Sequence, residues 1–196
     1  MGKTILIDNG HGKETPGKKS PDNKLQEWKW AREIAWQIVR ELAENGLDAR
    51  LLTPEESDIK LSERVRRVNA ICRQRGTDNV LVVSVHVNAA GNDKKWHNAQ
   101  GFLSFVSPNA GNGSKRLAKI LYEEAEQRGL KGNRWVTKDK YTIKSLAICR
   151  DTACTAVLTE NLFMDNKEDC KFLLSKEGKH AIVDVHVNAI TKFVEQ

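Results

Sequence analysis

Apolar residues along this chain occur partly in unbroken runs and partly at helical spacing. The strongest run is VLVVSVHV within residues 79–88, which is apolar on both faces and typical of a central strand covered on both sides. Shorter apolar runs bounded by Gly, Asn or Ser predict further strands. These strands are predicted at residues 4–8, 47–53, 101–107 and 156–160.

Steps of three and four residues between apolar positions predict helices between and after the strands. The first helix has the stripe Trp30, Ile34, Ile38, and Gly46 follows it as a C-cap. Asn166 precedes another helical segment as a plausible N-cap. The helices are predicted at residues 25–45, 62–75, 114–128, 166–174 and 179–194.

The alternation of strands and helices predicts an α/β fold with a mostly parallel central sheet and helices on both faces. No linker or shift in composition divides the chain, so we expect a single domain over residues 1–196. The pentapeptide Val-His-Val-Asn-Ala occurs at residues 85–89 and 185–189. Its first copy lies in a strand pattern and its second in a helical one, which argues against an internal repeat.

Composition limits the classes of function. The 196 residues are 39% hydrophobic and 30% charged, and no apolar run approaches the roughly 20 residues of a membrane-spanning helix. We therefore expect no membrane insertion. A net charge of +6 indicates an anionic partner, or simply basic residues on solvated helix faces. Because no nucleic-acid motif accompanies the charge, nucleic acid is not expected as a partner.

The cysteines and the amino-terminal residues bear on the compartment. None of the four cysteines forms a Cys-x-x-Cys pair, so we expect mostly buried free thiols, with a Cys149–Cys154 bridge as the alternative. Residues 1–8 lack the apolar stretch of a signal peptide. The expectation is a protein made without an export signal, or a mature domain whose signal precedes this sequence.

Polar residues follow three of the predicted strands. His11 comes after the first strand, His86 lies near the end of the third, and Glu160 ends the strand at residues 156–160. In open α/β sheets, functional groups collect beyond the carboxyl ends of the strands. Histidine and carboxylate side chains are ligands of catalytic zinc, which usually has three protein ligands. The two histidines indicate a metal site that needs a third protein ligand.

Two glutamates compete for the position of the third ligand. Glu27 begins the first helix on its coreward side, whereas Glu14 lies closer to His11 in a loop. A glutamate at a helix start also has a simpler explanation, since it interacts favourably with the helix dipole. Asp8 either orients a metal ligand or accepts hydrogen bonds from backbone amides.

The order of these residues resembles the zinc-dependent N-acetylmuramoyl-L-alanine amidases of the Amidase_3 family. Each motif alone is common, but four in this order across nearly the whole chain are specific. The sequence differs from the family pattern at Asn9 and Thr155, where proline is common, and at Leu162, where glycine is frequent. The motifs are DNGHG at residues 8–12, Glu27, SVHVNA at residues 84–89 and AVLTENLFMDN at residues 156–166.

The resemblance implies a peptidoglycan hydrolase that uses one zinc ion. It implies that His11, Glu27 and His86 hold the zinc and that Glu160 is the catalytic acid and base. Candidate contacts to the substrate are Asn88, Trp96 and Arg134. The basic charge would then attract the anionic wall polymer.

The resemblance also bears on where such an enzyme works. A wall hydrolase without an export signal suits a phage enzyme that stays in the cytoplasm until lysis, and a mature exported autolysin would look the same. The oligomeric state is not fixed by the sequence, and a monomer is expected. The alternatives are a zinc peptidase or deacetylase acting on another wall amide, and a peptidoglycan-binding domain without activity.

Overall fold

The computed structural model describes residues 2–130, 132 and 136–196. Strands and helices alternate through these residues, and all the strands join one sheet. The strands are β1 (Thr4–Asn9), β2 (Asp48–Leu51), β3 (Val80–Asn88), β4 (Leu103–Val106), β5 (Thr142–Ile143) and β6 (Thr155–Phe163). The helices are α1 (Glu27–Glu44), α2 (Leu61–Arg75), α3 (Asn112–Gln127), α4 (Ala147–Arg150), α5 (Lys167–Leu174) and α6 (Lys176–Val194).

The sheet has the strand order β2-β1-β3-β6-β4-β5. The first four strands in this order run parallel, β4 is antiparallel to β6, and β5 is parallel to β4. The two central strands, β3 and β6, are therefore flanked on both sides. This confirms the predicted α/β fold with a mostly parallel sheet, and it brings the carboxyl ends of β1, β3 and β6 to one edge.

Helices cover both faces of the sheet because the strands alternate their apolar side chains between the faces. On one face, Ile5 and Val83 pack with α1, α3 and α6 around residues such as Ile34 and Ile190. On the other face, Leu6, Val82 and Leu158 pack with α2 and α4. The apolar side chains of β3 thus pack into two separate cores, one on each face of the sheet.

Most predicted elements are present with boundaries shifted by one to three residues. The helix predicted from residue 179 begins at Lys176, where Ser175 caps it by accepting a hydrogen bond from the Gly178 amide. Asn166 caps α5 as predicted, accepting from the amides of Glu168 and Asp169. The short elements β5 and α4 were not predicted, because two and four residues are too few to establish a period.

The largest difference is in β6, which continues to Phe163 beyond the predicted end at Glu160. His86 pairs with Glu160 and Asn88 with Phe163, so β6 contains one more residue than β3 between these pairs. This β-bulge places Leu162 at a φ of 63°, in the left-handed region. The irregularity therefore lies directly beside Glu160.

Other expectations concern the cysteines and the membrane. In the structure Cys72, Cys149 and Cys170 are buried free thiols, and Cys154 is a partly exposed free thiol, so Cys149 and Cys154 are not bridged. Among the described residues, no helix has the length and apolar character needed to cross a membrane.

Candidate metal centre

Glu27 is the best-defined member of a cluster formed with His11 and His86. It is the first residue of α1, and the stripe that continues through Trp30 and Ile34 turns its side chain toward the core. Its side chain is only 1% exposed, whereas those of His11 and His86 are 20% and 17% exposed. The carboxylate is thus buried beneath two imidazoles that reach the surface.

The distances within the cluster are those of a ligand set. Glu27 Oε2 lies 3.3 Å from His11 Nε2, and Glu27 Oε1 lies 3.1 Å from His86 Nδ1. One ligand atom from each of the three residues lies within 4.8 Å of the others. Zinc ligands bind at about 2.0–2.2 Å in tetrahedral geometry, which places them a little over 3 Å apart. The spacing of the three side chains therefore fits a small divalent cation.

An unpartnered oxygen provides a further test of fit. Glu27 Oε1 accepts a hydrogen bond from the Val87 amide at 3.0 Å, but the buried Oε2 accepts none. A buried carboxylate oxygen without a hydrogen bond is unfavourable unless a cation or donor satisfies it. His11, Glu27 and His86 therefore provide the ligand atoms that a metal requires, and the free Glu27 Oε2 is an oxygen that a bound cation would satisfy.

The charges within the cluster support the same interpretation. Burial alone would raise the pKa of Glu27, but its contacts with His11 and His86 outweigh burial and lower it to about 2. Burial opposes the charged form of His86, yet the Glu27 carboxylate raises the pKa of His86 above its ordinary value. Glu27 is accordingly an anion at neutral pH, and it attracts positive charge to this position.

Glu160 lies beside this cluster, since it is the direct partner of His86 in the β3–β6 pairing. Its Oε2 atom is buried and makes no hydrogen bond. Burial raises the pKa of Glu160 to about 7; the charge of Glu27 adds to this rise and that of His86 opposes it. A carboxyl group with a pKa near neutrality can both accept and donate a proton, as a catalytic acid and base must.

The loop that carries His11 is held by two arginines. His11 has a φ of 60°, and its carbonyl oxygen accepts from Arg32 Nη1 at 3.0 Å and from Arg64 Nη2 at 3.4 Å. Arg64 also donates to the carbonyl of Asn9 and forms a buried ion pair of 2.7 Å with Asp8. The unusual backbone of His11 is therefore fixed from α1 and α2.

Gly10 permits the close approach of this loop to His86. A Cβ atom at position 10 would lie 2.5 Å from His86 Nδ1, well inside contact distance. Any side chain there would displace the imidazole. Gly10 therefore leaves room for the His86 ring, and His11 adopts the backbone conformation that the two arginines hold.

The other residues singled out from the sequence lie in different surroundings. Glu14 is exposed and accepts a hydrogen bond from the Asp58 amide, so it does not belong to the cluster. Asp8 contacts Arg64 and Ser84, with no hydrogen bond to His11 or His86 among the described residues. Its link to the ligands runs through Arg64.

Of the three candidate substrate contacts, two can be placed. Asn88 is partly exposed at the end of β3, where its Oδ1 accepts from the Ala89 amide. Trp96 is partly buried and packs against the larger core. Arg134 lies outside the described residues.

Two buried residues beside the site were missed by sequence reasoning. Arg64 is only 2% exposed, and Asn161 Nδ2 donates to the backbone carbonyl of His86 at 2.9 Å. A lone arginine on an amphipathic helix carries no signal of burial. Asn161 follows Glu160 in the motif at residues 156–166, but the β-bulge that turns it toward His86 has no periodic signature.

Replacing Arg64 with methionine should destabilise the metal-free protein by about 3–5 kcal/mol, because it leaves the buried Asp8 carboxylate unpaired. Urea unfolding in the presence of a chelator measures this change without a contribution from metal. Zinc affinity, measured on the folded variant, should also fall, since the His11 loop loses a support.

The matched control is Arg66→Met, which removes an exposed arginine of the same helix whose partner is Glu63. It should change stability by less than about 1 kcal/mol. Adding Asp8→Asn to Arg64→Met should restore part of the lost stability, because the unpaired charge is then removed as well. Equal effects of the two arginine substitutions would contradict the assigned role of Arg64.

Fold and site together define an α/β protein with a candidate metal centre at the carboxyl ends of its central strands. The sequence pattern of the N-acetylmuramoyl-L-alanine amidase family, Amidase_3, matches residues 5–192, and the chain belongs to this family. It is thus a peptidoglycan amidase, of the class that hydrolyses the bond between N-acetylmuramic acid and L-alanine.

Individual relatives agree with this assignment. The chain is 26% identical over 199 residues to the endolysin of Bacillus phage SPP1, covering 99% of this chain and 67% of that protein. It is 29% identical over 190 residues to the N-acetylmuramoyl-L-alanine amidase CwlM of Bacillus licheniformis, covering 96% and 67%. The chain therefore spans about two thirds of the length of these relatives.

Solved structures show the same fold. An N-acetylmuramoyl-L-alanine amidase from Clostridium difficile 630 superposes with a TM-score of 0.83 at 19% identity, covering 100% of this chain and 98% of that one. Cwp6 from Clostridium difficile superposes with a TM-score of 0.79 at 26% identity, covering 99% of this chain and 30% of that one.

Proposed function

We propose that this amidase uses one zinc ion held by His11, Glu27 and His86, and that Glu160 is its catalytic acid and base. The observation that carries the proposal is the buried Glu27 carboxylate, which lies between two imidazoles and whose Oε2 has no hydrogen bond. Bound zinc would polarise the amide carbonyl and make water a nucleophile at neutral pH.

The remaining steps belong to the side chains of this chain. Glu160 takes a proton from the attacking water onto its carboxylate and then delivers a proton to the departing alanine nitrogen. Burial raises the pKa of Glu160 toward neutrality, which favours a group that both accepts and donates a proton. The products are a glycan strand and a peptide with a free amino-terminal alanine.

The support around the site keeps these groups in position. Arg64 and Arg32 hold the His11 backbone, and Asn161 holds the backbone of His86. Such fixed positioning lowers the reorganisation needed at each proton transfer. The candidate substrate contacts Asn88, Trp96 and Arg134 remain part of this proposal.

Product analysis tests the proposal. Purified peptidoglycan digested with the zinc-loaded protein should release peptides with amino-terminal alanine, detected by mass spectrometry. Chelation should stop release, and added zinc should restore it. A cut within the stem peptide, or release of acetate, would instead identify a peptidase or a deacetylase. Release that is unaffected by complete metal removal would contradict the zinc assignment.

A further inference from the structure

A cavity, here called the lysine groove, lies beside the start of α1 and the ends of β3 and β6. Its volume is about 480 Å³, within the range of about 300–1,000 Å³ typical of ligand sites. One wall is the loop before α1 and the other is the loop after β3. Its basic lining residues are Lys18, Lys19, Lys94 and Lys95.

Both walls of the lysine groove are tied to the elements that carry the candidate catalytic residues. The Lys18 carbonyl accepts the amide of Glu27 at 2.9 Å. On the other wall, Asp165 Oδ2 accepts from the amides of Ala90 and Gly91, which fixes that loop to the end of β6. The groove thus has a defined position relative to His86 and Glu160.

Within the described part of the chain, the four lysines have no carboxylate partner. Among the described residues, none of their ammonium groups lies within ion-pair distance of a carboxylate. Two nearby acids are paired, Asp22 with Lys24 and Asp93 with His97, whereas Asp165, which also lines the groove, accepts two backbone amides through Oδ2 and leaves its buried Oδ1 without a hydrogen bond. Four exposed positive charges around one cavity attract anions, and their mutual repulsion falls when an anion binds.

The groove also has apolar surface. Pro16, Pro21, Ala89 and Met164 line it between the lysines. Burial raises the pKa of Glu160 and the charge of Lys18 lowers it, so the Lys18 end of the groove lies near that carboxyl. A ligand in the groove would therefore extend from the reacting bond along small apolar contacts and several ammonium groups. That mixture suits a short peptide of alanines and carboxylates.

We propose that the lysine groove binds the stem-peptide side of the substrate and recognises its free carboxylates. The proposal rests on the proposed function, because it places the departing peptide beside Glu160. It adds a specificity to the reaction: stem peptides with free carboxylates should bind better than those whose carboxylates are amidated.

The test compares two soluble muramoyl peptides of the same sequence, one with free and one with amidated side-chain and α-carboxyl groups. The variant carries Lys19→Gln, Lys94→Gln and Lys95→Gln, and it keeps Lys18 because the charge of Lys18 acts on the pKa of Glu160. Its KM for the carboxylate substrate should rise about tenfold with kcat little changed, since each exposed ion pair contributes only a few-fold. Its KM for the amidated substrate should stay close to that of the unmodified protein.

A charge-matched control separates local recognition from general attraction. Lys115→Gln, Lys119→Gln and Lys171→Gln remove the same charge from α3 and α5, and KM should then change little. Equal KM for the two substrates in the unmodified protein, or equal losses in both variants, would overturn the proposal. The proposal would also be overturned if the lysine variant lost activity only on whole cell walls that retain phosphodiester polymers and not on the soluble substrates. The lysines would then bind that polymer.

The same experiment separates failure of the groove from failure of the proposed function. The amidated substrate reports amide hydrolysis without the carboxylates. If the proposed function is wrong, neither substrate releases a peptide with amino-terminal alanine in any of the three proteins. If only the groove is wrong, both substrates are cleaved and the lysine substitutions do not distinguish them. Thermal unfolding of each variant confirms that it is folded.

Discussion

Replacing Glu160 with glutamine should lower the rate of amide hydrolysis about 10²–10⁴-fold, the range for loss of a general acid or base, while zinc still binds. Glutamine has nearly the same shape but neither accepts the water proton nor delivers one to the leaving nitrogen. The buried Oε2 has no hydrogen bond to lose, so the fold should tolerate the change. Release of peptides with amino-terminal alanine measures the rate, and elemental analysis measures the metal.

The control for this substitution is Glu168→Gln, an exposed glutamate in the first turn of α5. It removes the same charge outside the site and should leave the rate close to that of the unmodified protein. If Glu160→Gln kept near-normal turnover, the acid and base would have to be another group, and the proposed mechanism would be wrong. If it lost its zinc, Glu160 would be a ligand instead.

Replacing His86 with alanine should lower zinc affinity by more than 100-fold and abolish turnover. Loss of a residue that only supports a metal ligand typically costs about 10–100-fold in affinity, so loss of a ligand itself should cost more. The Glu27 carboxylate would also lose its contact with His86 at 3.1 Å. Competition with a chromophoric chelator measures the affinity directly.

His180 provides the matched control, because its side chain is 71% exposed on α6. His180→Ala should bind zinc as the unmodified protein does. Unfolding of both variants in the presence of chelator shows whether His86→Ala retains the fold, so that a lost site is not confused with a lost structure. Unchanged zinc affinity in folded His86→Ala would contradict the ligand assignment.

The sequence was most informative where burial and period are strong. The run in β3 is apolar on both faces because both faces are covered, and its pattern predicts that without a structure. The repeated pentapeptide shows that a short local sequence does not determine its own conformation. The first four residues of one copy, 85–88, end strand β3, whereas all five residues of the other copy, 185–189, lie in helix α6, because the surrounding period and packing decide the local conformation.

The residues of the candidate site could be predicted from the sequence, but the contacts that hold them in position could not. The coreward position of Glu27 follows from its spacing to Trp30 and Ile34 along α1. The choice between Glu27 and Glu14 did not follow from period alone, because it depends on where α1 begins relative to β3. Arg64 and Asn161 were missed, since their roles depend on backbone carbonyls that have no sequence signature.

Leu162 shows how a position can keep its shape without the residue usually found there. The left-handed backbone in the β-bulge costs a residue that carries a Cβ atom about 1–2 kcal/mol, a cost that glycine would avoid. Here the leucine side chain is 3% exposed within the core, and burying it contributes about 1.5–3 kcal/mol. Because the two terms are similar in size and opposite in sign, burial of the leucine side chain offsets the cost of the left-handed backbone, and the bend beside Glu160 forms without a glycine.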